Sequence, residues 1–396
     1  MPKITLKTSP IWRYVLLALV ISLGFALVLM LVPINTAVWW GRTVQVGLYI
    51  GLGLTLISIP LNLLGRRQFD PVGSDTFRFD SSNLRPGKNK VEYISDGSKI
   101  VADLYMPDDF VAGEKRPVVV ITPPNSGVKE QTAGLYAQKL SQKGFITVAF
   151  DPRGFGESGG HSLYLDISRQ VDDVKSSIDF VSNLEQVDTN NIFNMGICVG
   201  TGISAYETAY DSRIKAEAMV SPTFLSEDES VLPIPLDLVY MIGGAAKLWY
   251  LATGRDIKFG PMVPEVAIED ADEDKIKVGM GAFYYLPGMP GDVPNWQNRV
   301  SILSLIPIIE WLNFFGLTKR FRSTPVFMAY GSNAFSKGSA IKFYDQLDGP
   351  KDRLVLDGAG HFDMYWKPEY VDPVVESISK FFNRQVELEL GENNAK

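Results

Sequence analysis

Four near-continuous apolar runs recur along the chain: PVVVIT (117–122), FITVAF (145–150), NIFNMGI (191–197) and IKAEAMVS (214–221). Nothing else in the sequence narrows the fold as much. A strand that is apolar on successive residues must be buried on both faces, because in a half-exposed strand every second side chain meets water. The intervals hold segments of helical period: QTAGLYAQKLSQKG, which ends on Gly144, VDDVKSSIDFVSNL, and GISAYETAY. Strand and helix in alternation predict a mostly parallel sheet wrapped by helices, an α/β fold. VEYIS and KIVADLYM, split by DGS, read as a hairpin ahead of the first run. TPVFMAYG and DRLVLDG resume the sheet late in the chain, and DPVVESISKFFNRQ predicts the last helix.

Residues 222–320 break this pattern. They hold no clear strand, and they carry acidic clusters, Gly/Pro turns and the apolar stretch VSILSLIPIIEWLNFFGL. The expectation is a mostly helical cap over the C-terminal edge of the sheet. Pro307 and Glu310 interrupt the apolar stretch, which argues against a membrane span there.

The N-terminus has another character. No charge falls between Arg13 and Arg42, nor between Arg42 and Arg66. YVLLALVISLGFALVLMLV and TVQVGLYIGLGLTLISIPLNLLG are each long enough to cross a hydrocarbon core of about 30 Å. A cleaved signal peptide would need an apolar core of only about 7–15 residues and no second span. The expectation is therefore a transmembrane hairpin over 1–67, with Trp39 and Trp40 in its link as interfacial aromatics. Lys3, Lys7 and Arg13 precede the pair, Arg66 and Arg67 follow it, and Arg42 alone sits between. That bias places both ends, and the domain that follows the hairpin, on the cytoplasmic side of an inner membrane. The expected divisions are the hairpin 1–67, a polar linker 68–88, a sheet core 89–221, the cap insertion 222–320, and a second core part with tail, 321–396.

Composition excludes several classes. The formal charge of −7, without clustered Lys or Arg, argues against nucleic acid as a partner. One cysteine excludes an internal disulfide and a cysteine-based metal cluster. Two histidines, His161 and His361, exclude a multi-histidine metal site. No metal or organic cofactor is implied. Oligomeric state is left open.

The single cysteine sits in GICVGTG (196–202), where a strand runs into a helix. G-x-C-x-G in that context has the form of a nucleophile elbow, whose glycines permit a sharp turn. The helix dipole at such a turn would lower the pKa of Cys198. The bland reading is a buried, inert cysteine. His361, in GAGHFDMY between the last strand and the last helix, stands where a general base would come from. The backbone N–H groups of Val199 and, in the loop PPNSGVKEQTAG, of Asn125 are candidate oxyanion donors, because Pro123 and Pro124 have none. His161, in GESGGHSLY, reads as a loop residue near the site.

SGVKEQTAGLYAQKLSQKGFITVAFDPRGFGESGG, MGICVGTG and GAGHFDMY together resemble the α/β-hydrolase superfamily, and within it dienelactone-hydrolase-like bacterial hydrolases and fungal polyketide transferases. The resemblance covers about residues 90–385 and implies an α/β-hydrolase fold with cysteine as nucleophile. It departs from the family at Pro123–Pro124, where a His-Pro or His-Gly pair is usual, and at the two N-terminal spans. The expected enzyme is a membrane-anchored hydrolase (esterase or thioesterase-like) or acyltransferase. Cys198 would attack the carbonyl of a small-molecule acyl ester or thioester, with His361 as base. A catalytically silent, membrane-tethered binding or scaffold module is the alternative, and a redox-sensing thiol a third reading. A third group should hold the imidazole. Among the acids of SEDE (Glu227, Asp228, Glu229) Asp228 is preferred, with Asn333 and Asp363 as other options.

Overall fold

The computed structural model describes residues 11–31, 39–66, 84–224, 236–261, 283–309 and 314–395. Two helices come first, α1 (Ile11–Leu31) and α2 (Trp39–Arg66). They run antiparallel: the Ser22 hydroxyl donates to Thr55 Oγ1 at 2.8 Å, and Phe25 packs on Gly51 one turn away on each helix. Among the described helices only Gly41–Arg66 is long and apolar enough to cross a bilayer. The apolar part of α1 is Val15–Met30, which spans about 24 Å at 1.5 Å per residue and falls short of the hydrocarbon thickness. Of the two expected spans, one is thus a described helix of spanning length and the other a shorter apolar helix packed against it. Trp39 and Trp40 begin α2 rather than forming a loop. The expected linker lies mostly outside the described residues.

The sheet begins with the predicted hairpin, β1 (Gly87–Ser95) and β2 (Ser98–Met106). Its turn has Asp96 at φ +44° and Gly97 at φ +75°, the positive-φ pair that a two-residue hairpin requires. The alternating part follows: β3 (Arg116–Thr122), α3 (Thr132–Ser141), β4 (Ile146–Phe150), α4 (Ile167–Ser182), β5 (Val187–Ile197), α5 (Gly200–Thr208) and β6 (Ile214–Val220). Asp166 caps α4 by accepting from the N–H groups of Ser168 and Arg169. Between β6 and β9 lie α6 (Leu236–Thr253), a two-residue pair of strands β7 (Lys258–Phe259) and β8 (Val300–Ser301), and the short helices α7 (Leu305–Ile309) and α8 (Phe314–Leu317). β9 (Val326–Gly331), α9 (Lys337–Asp345), β10 (Lys351–Leu356) and α10 (Pro368–Ala395) complete the chain.

The eight-stranded sheet has the order β1-β2-β4-β3-β5-β6-β9-β10. β2 is antiparallel to both its neighbours, and every pair from β4 to β10 is parallel. One apolar layer under α4, α5, α8 and α9 includes Val118, Val148, Ile192 and Met219; the other, under α3 and α10, includes Val119, Ile121, Phe193 and Ala218. Alternate residues of the same strands thus feed opposite layers, which is why the runs are apolar throughout. The loops after β3, β5, β6, β9 and β10 gather at one edge of the sheet, the carboxyl ends of its parallel strands, where α/β folds place their sites.

Candidate active site

β5 delivers Ile197 straight into a reversal at Cys198, whose φ is +57°. A side chain in the left-handed region is strained. It is held there by hydrogen bonds on both sides: Cys198 N–H to the Val220 carbonyl at 3.0 Å, and Thr201 and Thr223 N–H to the Cys198 carbonyl at 3.1 and 3.2 Å. Both flanking glycines are required by close approach. A Cβ on Gly196 would run into the Gly200 carbonyl, and one on Gly200 into the Pro123 carbonyl. The start of α5 therefore presses directly on the loop after β3.

Four polar groups lie around the Cys198 sulfur: the Tyr365 and Thr223 hydroxyls and the backbone N–H groups of Val199 and Asn125. The Thr223 oxygen lies 3.5 Å from it. The loop after β3 thus brings the Asn125 N–H to the same sulfur as that of Val199. Lys129 pins that loop. Its N–H donates to Asp151 Oδ1 at 2.7 Å, and its buried ammonium pairs with Asp151, Glu130 and Glu157 at 2.8, 2.7 and 2.7 Å. Oxygens of those three carboxylates lie within 4.8 Å of one another, but the Lys129 ammonium already takes the central position a cation would need. Burial pulls the Lys129 pKa down; Asp151 and the other carboxylates more than restore it, and the net shift is upward.

His361 follows β10 and is 3% exposed. Ser221 (φ +45°), just past β6, donates to the His361 carbonyl at 2.7 Å and fixes the loop. Phe335 covers the ring at 4.3 Å between centroids. His361 Nδ1 meets Ser336 Oγ at 2.8 Å, and Nε2 meets the Tyr365 hydroxyl at 3.3 Å. No direct imidazole–sulfur hydrogen bond is formed. Tyr365 stands between them, in contact with both.

The matching family is described as serine aminopeptidase, S33, and covers residues 116–278. Over 305 residues the chain is 29% identical to Uncharacterized protein YcjY of Escherichia coli, covering 74% of this chain and 98% of that one. It is 26% identical over 290 residues to the Polyketide transferase claH of Penicillium crustosum, 70% of this chain and 92% of that one. The crystal structure of the hypothetical protein PA2218 from Pseudomonas aeruginosa superposes with a TM-score of 0.65 at 23% identity, covering 78% of this chain and 98% of that one. The fold, the family match and these relatives together support an α/β-hydrolase assignment. The chain is an enzyme of hydrolase or acyltransferase type.

Neither Asn333 nor Asp363 meets the imidazole. Asn333 donates from Nδ2 to the Gly358 carbonyl at 3.2 Å, so it ties two loops together and does not face the ring. Asp363 accepts from Gly360 N–H at 2.7 Å and pairs with Lys367 at 2.8 Å, fixing the loop that carries His361. Glu227, Asp228 and Glu229 lie outside the described residues. Ser336, at the start of α9, is the group on Nδ1, and Tyr365 the group on Nε2. Neither was singled out from sequence. Tyr365 had one signal: it closes the GAGHFDMY motif four residues after His361, about one helical turn away.

Charge also behaves differently from the expectation. Burial pushes the Cys198 thiol up, and its interactions with Tyr365, Thr223, Val199 and Asn125 only partly offset that. Cys198 packs against the apolar layers on both faces of the sheet, and this desolvation outweighs the pull of the helix terminus. Burial also pushes His361 down to about 3. The resting pair is a neutral thiol and a neutral imidazole. The His161 Nε2 meets Asp256 Oδ2 at 2.8 Å, and its ring packs edge-on against Tyr250 of α6.

Proposed function

We propose that this chain is a membrane-anchored acyl hydrolase or acyltransferase, in which Cys198 attacks a small-molecule ester or thioester and His361 is the base. The observation that carries the reading is the strained Cys198 turn, with two backbone N–H groups converging on its sulfur and a hydroxyl bridge to His361. In the mechanism, the Nδ1–H of His361 donates to Ser336 and leaves Nε2 free to accept. The Sγ–H proton passes to the Tyr365 oxygen as the phenol proton passes to Nε2. The products of this step are a thiolate, an imidazolium and an unchanged phenol. Burial pushes Tyr365 well above its usual pKa, so the phenol relays the proton without holding the charge. The thiolate adds to the carbonyl, and the Val199 and Asn125 N–H groups stabilise the oxyanion. Collapse expels the alcohol or thiol with the proton from His361. Water or another acceptor then resolves the acyl-enzyme. A neutral Ser336 gives the imidazolium no counter-charge, which suits activated acyl groups better than amides.

The span Gly41–Arg66, with Arg66 and Arg67 at its end, supports anchoring with the catalytic domain in the cytoplasm. The segment between β6 and β9 acts as a cap. The same neutral Ser336 is the feature that favours the alternative, a silent fold used for binding. Labelling by iodoacetamide and turnover of short p-nitrophenyl esters and acyl thioesters decide between them. Cys198→Ala and His361→Ala should each remove nearly all turnover, and the double variant should be little worse than either. Full activity in Cys198→Ala would overturn the assignment.

A further inference from the structure

We propose that helix α6 of the insertion is itself a membrane-contact element: it lies in the bilayer interface and seats the insertion on lipid. The proposal rests on the reading of α2 as a span. α6 is 18 residues long and contains only two charged residues, Asp237 and Lys247. Both turn inward onto the end of α2. Asp237 pairs with Arg66 at 2.7 Å, and its carbonyl accepts from the fully buried Asn62 at 2.9 Å. Lys247, 4% exposed, donates to the Gly65 carbonyl at 2.8 Å and so caps the C-terminus of α2, where a cation is favoured. The two helices touch backbone to backbone. A Cβ on Gly65 would collide with the Tyr240 carbonyl, and one on Gly244 with that of Leu61. α6 is therefore rigidly fixed to the α2 terminus.

The outward face of α6 is the reverse of what water selects. Leu238, Leu248, Trp249 and Leu251 are 42%, 53%, 47% and 68% exposed, with Ala245 and Ala252 among them and no charge on that face. Arg255, exposed, follows just beyond the helix. α2, to which α6 is fixed, also exposes apolar side chains, Leu54, Ile57 and Leu63. The occupant of the α6 face is the bilayer, because the end of α2 to which α6 is fixed is the end that emerges from the hydrocarbon core. Tryptophan and a flanking arginine are the residues an in-plane interfacial helix uses.

The test uses the full-length chain in lipid nanodiscs, with Cys198→Ala as background and one cysteine introduced at a time: Leu251→Cys on α6, Leu54→Cys on α2, and Val111→Cys on an exposed loop. Each is labelled with an environment-sensitive fluorophore and quenched with lipids brominated at shallow or deep acyl positions, or with aqueous iodide. Labels at 54 and 251 should be quenched by bromine and shielded from iodide. The label at 251 should respond best to shallow bromines, about 5–10 Å into the headgroup–acyl boundary, and that at 54 to deep ones. A label at 251 quenched by iodide as strongly as that at 111, with 54 still in lipid, overturns the proposal and leaves the span standing. Shielding of 251 from both quenchers would mean that protein covers the face, and also overturns it. Iodide quenching at 54 removes the span and the proposal together.

Discussion

Glu217 lies on β6 beneath the helix that follows the nucleophile turn, and it is fully buried without a cation. Its oxygens accept from Ser204 and Thr208 of α5 at 2.5 and 2.6 Å. Burial raises its pKa from 4.5 to about 8, with the two hydroxyls pulling the other way. The native protein therefore keeps a proton that the unfolded chain releases. A pKa raised on folding adds stability that is complete below 4.5 and is lost as pH rises to about 8. At about 1.4 kcal/mol per unit, the loss between pH 5 and pH 8 is about 4 kcal/mol. Glu217→Gln keeps the shape, has no proton to lose, and should remove this slope. At roughly 2 °C per kcal/mol, the wild-type melting temperature should fall by roughly 8 °C more than that of the variant between those pH values. The assay is thermal unfolding of both full-length proteins in one detergent, followed by circular dichroism at half-unit pH steps. Parallel curves for the two proteins would refute the reasoning, because they would mean that Glu217 is ionised in the fold or that its charge is solvated.

The raised Cys198 thiol should give an iodoacetamide alkylation rate that climbs about tenfold per pH unit through pH 9; a plateau below pH 8 would indicate a thiolate–imidazolium pair at rest. Tyr365→Phe removes the hydroxyl bridging His361 and Cys198, and should lower kcat by about 10²–10³ with little change in KM, since proton transfer by a positioned side chain is worth that much. An unchanged kcat would mean that the imidazole reaches the sulfur directly. Lys129→Met strands Asp151, Glu130 and Glu157 and should cost about 3–5 kcal/mol in chemical denaturation, whereas Lys90→Met, which removes only the half-exposed partner of Glu157, should cost less than about 1 kcal/mol.

The β–α alternation was legible in residues 117–221 because burial on both faces leaves a local mark: every residue of β4 is buried, and every one is apolar or threonine. The Cys198 turn was legible for a similar reason. Gly196 and Gly200 have no room for a Cβ, and that constraint is written in the residues themselves. His361 could be read from its position between the last strand and the last helix. Other features have no such mark. Ser336 reaches His361 across 25 residues, and Tyr365 reaches Cys198 from the far side of the sheet edge. A serine or tyrosine carries no record of its partner; loop packing at the carboxyl ends of β5, β9 and β10 selects it. Asn333 and Asp363 were plausible partners on type and position, yet both are used up in holding their own loops. The direction of the Cys198 shift likewise depends on how much apolar surface the fold closes around the sulfur, not on its neighbours in the chain. Lys247 and Asp237 look like ordinary solvent-facing charges on a cap helix. Only the contact of α6 with the end of α2, across more than 170 residues of chain, turns them inward and leaves leucine and tryptophan outside.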